Sequence, residues 1–271
     1  MRGVKTWVVY ARSWLQAVRW IVLTLLILAM ARPQLLWYED KVEAEAMDIL
    51  LVMDVSPSML TKDFAPDRLT VAKKVANDFI TRRPFDRIGL VVFSGGAFTQ
   101  CPLTNDRRLL QGFVNNLQVG RLKDGTAIGM GISTAVYHLK NSPAASKIVI
   151  VLTDGENNTG EIGPIKAAEM ANALGVRVYT VGIGKDGVVL SPSYRNFMGG
   201  YDFAPRNMVF DSTLLHEIAQ RSRGQFFRAY TPDDLRCIYT QIDRLEKSKI
   251  TIAKVQRTTE LFFWLLDAAF C

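Results

Sequence analysis

Short apolar runs without polar alternation recur along this chain, at 47–53, 87–93, 147–153 and 176–181. Runs of strand length with no polar face suit strands buried on both sides of a parallel sheet. Between them the period changes. After Pro66-Asp67-Arg68, residues Leu69, Ala72, Val75, Ala76, Phe79 and Ile80 repeat at helical spacing, and Ile132, Ala135, Val136 and Leu139 do so after a loop at 123–129. Helices are also predicted at 106–117, 164–174, 212–221 and 233–245, with a short strand at 225–228. Ser94-Gly95-Gly96 breaks the second strand, and 97–102 can return beside it as an edge strand. Strands alternating with helices imply right-handed crossovers, hence an α/β fold with a doubly wound, mostly parallel sheet flanked by helices.

The first apolar stretch is of another kind. Residues 13–31 end in an uncharged run from Ile21 to Ala31 and just reach the length of a membrane-spanning helix if Arg19 snorkels to the near interface. The expected organisation is a basic segment at 1–12, a transmembrane helix at 13–31, a linker or juxtamembrane strand at 32–46, one domain at 47–247 and a tail at 248–271. That tail ends in an apolar stretch interrupted by Asp267, too short to cross a bilayer, which reads as interfacial or as the start of a further span.

Charge supports this division. The chain carries 33 Lys and Arg against 26 Asp and Glu, and five of the bases (Arg2, Lys5, Arg12, Arg19, Arg32) fall before any acid. The basicity belongs to the N-terminus, so the high pI gives no case for a nucleic-acid surface. By the positive-inside rule the N-terminus is cytoplasmic and the domain lies across the membrane, with Arg32 as a weak counter-signal.

The candidate chemistry sits at strand ends. Asp54-Val55-Ser56-Pro57-Ser58 follows the first buried strand, where one carboxylate and two hydroxyls at alternate positions can face a single point. The same short polar side chains could instead make a turn and cap the next helix. Two further polar stations follow: Thr126 in Asp124-Gly125-Thr126, and Asp154 in Thr153-Asp154-Gly155 after the strand at 147–153. Cys101, Cys237 and Cys271 have no metal-like spacing, and His138 and His216 are far apart, which removes a zinc site and a histidine-based triad. Gly182-Ile183-Gly184-Lys185-Asp186-Gly187 has dinucleotide-fingerprint spacing but lacks the following helix that would bind pyrophosphate.

Taken together, Asp54, Ser56, Ser58, Thr126 and Asp154 resemble the metal-ion-dependent adhesion site of von Willebrand factor type A domains, whose fold is Rossmann-like. Asp67-Arg68-Leu69, Phe93-Ser94-Gly95 and Val181-Gly182-Ile183-Gly184 look like the bacterial membrane-bound branch, similar to aerotolerance-operon products encoded beside MoxR-type AAA+ ATPases. The resemblance implies that Ser56, Ser58 and Thr126 offer hydroxyl oxygens to Mg2+, Mn2+ or Ca2+. Asp54 and Asp154 would then supply negative charge, and a partner's Asp or Glu carboxylate would complete the ion's shell. It further implies a single-pass protein of the bacterial inner membrane with an extracytoplasmic domain, no enzymatic activity, and a MoxR-type ATPase or other type A proteins as partners. A scaffold with an unused site and a magnesium-dependent phosphohydrolase using Asp54 are the competing readings; for the latter, Ser56 stands where a second aspartate belongs. The segment 188–211, with Pro192, Gly199, Gly200 and Pro205, reads as an inserted hairpin of unassigned purpose.

Overall fold

The structure, a computed structural model, describes residues 7–31, 34–41, 47–195, 200–247 and 253–260. In chain order these hold α1 (Trp7–Met30), β1 (Gln34–Lys41), β2 (Asp48–Asp54), α2 (Arg68–Thr81), β3 (Arg87–Phe93), β4 (Ala97–Thr104), α3 (Arg107–Asn115), α4 (Ile128–Leu139) and β5 (Lys147–Thr153). There follow α5 (Pro164–Ala173), β6 (Val176–Ile183), β7 (Gly187–Arg195), β8 (Tyr201–Met208), α6 (Thr213–Arg221), β9 (Phe226–Ala229), α7 (Pro232–Lys247) and β10 (Ala253–Glu260). Two compact units result: Ala44–Ile250, and the chain ends Met1–Glu43 with Thr251–Cys271.

In the larger unit the strands form a six-stranded sheet in the order β4-β3-β2-β5-β6-β9. Every pairing is parallel except that of the edge strand β4, as the edge position of 97–102 led one to expect. The uninterrupted apolar runs are explained by two cores. Ile49, Leu51, Met53, Ile148, Ile150 and Leu152 point to one, filled by α2, α3 and α7; Leu50, Val52, Val149 and Val151 point to the other, filled by α4, α5 and α6. Burying each such side chain contributes about 1.5–3 kcal/mol. An apolar run carries no register information of its own, because a slip by one residue still buries apolar groups. The polar ends supply it: Asp48 stands opposite Arg87, whose Nε donates to Asp48 Oδ1 at 2.7 Å.

The chain leaves β2 toward β3 on one side and returns with β5 on the other, so the sheet's order reverses between β2 and β5. Their carboxyl ends flank the crevice where such sheets bind ligands. Asp67 and Asp106 start α2 and α3 as expected, their carboxylates accepting from the Thr70 amide at 2.7 Å and the Leu109 amide at 3.0 Å.

The opposite end is closed by ion pairs. Glu246 on α7, 1% exposed, accepts from Arg177 Nε at 2.8 Å and Ser146 Oγ at 2.7 Å, and also from the Tyr179 hydroxyl. Burial alone would push its carboxyl up, but these donors outweigh burial and hold it below its ordinary 4.5. Its contribution to stability is therefore present above that value and lost as pH falls through its lowered native one.

In the smaller unit, α1 is the helix expected over 13–31, begun earlier at Trp7. The membrane crossing expected of it is not found: among the described residues no helix is long and apolar enough to span a bilayer. Arg12, Gln16 and Arg19 interrupt its N-terminal half. The linker expected at 32–46 contains β1, which pairs antiparallel with β10 from the expected tail, Gln34 opposite Glu260 and Lys41 opposite Ala253. The apolar segment 261–271, expected at a membrane interface, lies outside the described residues.

Replacing Glu246 with Ala strands the Arg177 guanidinium and is expected to cost about 3 kcal/mol in urea unfolding at neutral pH. A loss near zero would show that the closure of this end contributes nothing.

Candidate metal centre

Asp54 ends β2 and is 0% exposed. Its Oδ1 accepts the Ser56 amide at 2.8 Å and its Oδ2 accepts the Thr153 hydroxyl at 2.7 Å, so both oxygens are held in fixed directions. The chain then enters a tight 3-10 turn, Pro57–Leu60, which brings Ser58 Oγ to 3.0 Å from Ser56 Oγ. The alternate spacing thus does put two hydroxyls together, and the Ser58 hydroxyl lies near enough to Asp154 to favour its ionised form. Asp154 follows β5 directly, beside β2 in the sheet, which is what places the second acid next to the first.

Thr126 is carried by the loop before α4 and is 4% exposed. Its amide donates to Asn158 Oδ1 at 2.8 Å, while its carbonyl accepts the Asn158 and Thr159 amides at 3.1 and 3.2 Å. Asn157 Oδ1 accepts the Ile128 amide at 3.0 Å at the start of α4. From the other side Ser94 Oγ donates to the Gly125 carbonyl at 2.9 Å. Loops after β3 and β5 therefore clamp the threonine in place.

Arg68, in the first turn of α2 and 2% exposed, is the resident cation. Its Nε and Nη2 fork onto Asp63 at 2.8 and 2.7 Å, and Nη1 reaches Asp154 Oδ2 at 3.3 Å. The Asp63 and Asp154 side chains are each 1% exposed. A buried arginine neutralises one buried acid, and the fork assigns it mainly to Asp63. Asp54 and Asp154 are left with two negative charges between them. Burial, then the charge of Asp154, pushes the Asp54 carboxyl from 3.8 up to about 7; burial likewise raises Asp154 despite Ser58 and Arg68. Asp154 Oδ1 is buried and has no hydrogen-bond partner among the described residues. A buried carboxylate oxygen without a donor is one that a cation can satisfy.

These residues fit a hard divalent cation. The excess is two charges, the donors are oxygens, and the Ser56 and Ser58 hydroxyls already stand 3.0 Å apart. Among the described residues no group of three or more His, Cys, Asp or Glu could hold a metal, so hydroxyls would have to supply the rest of the shell.

The sequence reading missed Arg68, Asp63, Thr153 and the Asn157-Asn158 pair. Arg68 pairs with Asp154 across 86 positions, a relation with no local signal. Thr153 does stand within Thr153-Asp154-Gly155, and the asparagines follow just beyond Glu156.

Residues 48–241 match the family model of the von Willebrand factor type A domain. A protein of Borreliella burgdorferi is 31% identical over 225 residues, covering 83% of this chain and 66% of its own length. A UPF0353 protein of Mycolicibacterium paratuberculosis is 29% identical over 238 residues, covering 82% of this chain and 66% of its own. The chain thus spans just under two thirds of the length of these curated relatives. Among solved structures, an aerotolerance-related membrane protein from Bacteroides fragilis superposes with TM-score 0.64 at 28% identity, covering 75% of this chain and 100% of that one. The BatB protein from Bacteroides thetaiotaomicron gives 0.65 at 28%, covering 74% and 100%. Proximal thread matrix protein 1 from the mussel byssus, solved with a zinc-occupied MIDAS motif, gives 0.57 at 20%, covering 84% and 49%, a likeness of fold alone.

The raised Asp54 sets the sign of a pH effect. Its native value of about 7 lies above the unfolded 3.8, so the metal-free protein loses stability as pH rises between them. The melting temperature of chelator-treated protein is expected to fall from about pH 4 to about pH 7, less so in Asp54→Asn, and added Mg2+ or Mn2+ should restore more at the higher pH. A flat profile, or metal stabilisation greatest in acid, would contradict this electrostatic account.

Proposed function

The chain belongs to the von Willebrand factor type A family, and from that premise we propose that it is a membrane-tethered binding module that takes protein partners through a divalent cation held by Asp54, Ser56, Ser58, Thr126 and Asp154. The observation that carries the reading is the buried pair Asp54 and Asp154, which together with Asp63 leave two charges in excess of Arg68, with Asp154 Oδ1 unpartnered among the described residues. Held there by few protein oxygens, Mg2+ or Mn2+ supplies electrophilic positions that a partner's Asp or Glu carboxylate can fill. Zinc in the mussel protein's motif is a precedent within the fold.

The chain's own residues act by orientation. Thr153 and the Ser56 amide aim the Asp54 carboxylate, Arg68 holds one Asp154 oxygen and leaves the other facing the site, and Asn158 fixes the Thr126 loop. Neutral hydroxyls compensate little charge, so affinity for a partner carboxylate stays high. The arrangement offers no nucleophile and base pair. His138 Nε2 meets Thr99 Oγ1 at 2.8 Å and His216 lies on the exposed side of α6, so neither can activate Ser58.

Tethering is supported by the name of the Bacteroides fragilis protein and by α1, where Trp14 is 75%, Leu15 70% and Trp20 70% exposed. The basic residues before the apolar run favour a cytoplasmic N-terminus and an extracytoplasmic domain. The resemblance to the branch encoded beside MoxR-type AAA+ ATPases makes such an ATPase, or another type A protein, the partner to try first.

Calorimetric titration with Mn2+ and Mg2+ is expected to give binding in the wild type and none in Asp54→Ala or Ser56→Ala, with circular dichroism unchanged. Capture of a candidate ATPase should then disappear with chelator and in both variants. Undiminished capture in both would refute metal-mediated docking.

A further inference from the structure

The β7–β8 hairpin turns its apolar face outward. Cross-strand partners share a face, so Val188, Leu190 and Pro192 lie with Asn207, Pro205 and Phe203, and Val189 and Ser191 lie with Arg206 and Ala204. The second face meets the domain. Ser191 is 4% exposed, its hydroxyl is 3.3 Å from that of Thr61, and the neighbouring Leu190 carbonyl accepts the Lys62 amide at 3.0 Å. On the outward face Val188 is 74%, Leu190 46% and Phe203 37% exposed. An antiparallel pair with one covered face normally shows its polar side to water. The reversal here marks a surface that something else covers.

That surface borders the metal centre. Thr61 and Lys62, which hold β7, come directly after the turn carrying Ser58. On the other strand the Tyr201 hydroxyl donates to Asp124 Oδ1 at 3.5 Å, in the loop that carries Thr126. The stem is wedged as well: a Cβ on Gly182 would stand 2.3 Å from the Phe210 ring, and the Phe210 amide donates to Asp186 Oδ1 at 2.9 Å. The hairpin is a fixed wall tied to two of the three segments that supply the centre. Its charge is fixed too, since Lys62 Nζ lies 4.4 Å from the Phe203 ring centroid, a cation at the border of the apolar face.

We infer that the outward face of β7–β8 is the second half of the docking surface, and that it selects a protein segment in which a bulky apolar side chain stands near the acidic one that enters the metal centre. The apolar residue covers Val188, Leu190 and Phe203, and Lys62 faces the segment's acidic flank. This rests on the metal-centre reading given above.

The test is selection from a displayed library of random peptides on the full chain loaded with Mn2+. The expected survivors are released by chelator and combine Asp or Glu with a nearby Leu, Ile or Phe. The double variant Val188→Asp/Leu190→Asp keeps all five site residues and should keep Mn2+ binding by calorimetry, yet bind those peptides at least about tenfold more weakly. Val188→Asp alone, at so exposed a position, guards against a folding defect and should show a smaller loss. Acidic survivors without apolar neighbours, or equal binding by the variants, would overturn this inference while leaving the metal centre standing. No chelator-sensitive survivor at all would overturn both. Self-association of the wild type that the double variant abolishes, read by sedimentation, would give the face to a second copy and overturn the assignment to an acidic segment.

Discussion

Two carboxylates side by side in a dry crevice repel each other and forgo hydration that a protein interior does not replace, and in this domain Asp54 and Asp154 do both with only part of one guanidinium between them. Much of the surrounding structure is intelligible as the means of holding that arrangement. β2 and β5 are neighbours at the point where strand order reverses, so acids at their carboxyl ends are adjacent by topology. Both strands are buried on two faces by helices, which fixes the backbone behind the acids and keeps water out. Arg68 enters from the start of α2, shared with Asp63, which leaves it too little charge to satisfy Asp154. The residual charge is what supports the proposal of a divalent ion in the crevice.

The same constraint links stability to function. A site stable without its ion would be fully paired and would have nothing to offer a partner. Here the hydrogen bonds from Thr153 and the Ser56 amide orient Asp54 without neutralising it, and the Asn157 and Asn158 side chains tie the Thr126 loop through backbone groups, leaving that residue's hydroxyl outside the clamp. The opposite end of the sheet is treated differently: Glu246, Arg177, Tyr179 and Ser146 satisfy one another. Paired charge closes one end and unpaired charge opens the other.

How much of this was legible in the sequence depends on how local each relation is. The buried strands announced themselves as apolar runs, and the five candidate residues stood out because each stands just past a strand or on the loop into a helix. Arg68 could not, because Asp67-Arg68-Leu69 reads as a cap and first turn whatever the guanidinium later meets. Residues 34–41 read as a linker or juxtamembrane strand, but their partner β10 lies more than 200 positions away, a relation with no local signal. In the hairpin, Pro192 and Pro205 disturb the strand signal, and only the pairing shows that its apolar residues share the outward face. The apolar length of 13–31 suggested a membrane span, but the N-terminal half of α1 carries Arg12, Gln16 and Arg19, and the proposal of a membrane role for α1 rests on a relative's name and its exposed side chains.

Anomalous diffraction at the manganese edge, from crystals of the full chain grown with Mn2+, tests the central claim most directly. The account predicts one strong peak in the crevice between β2 and β5, within coordination distance of the Ser56 and Ser58 hydroxyls and beside the Asp154 oxygen that has no partner among the described residues. Absence of that peak at saturating Mn2+, or a peak only elsewhere on the molecule, would contradict it.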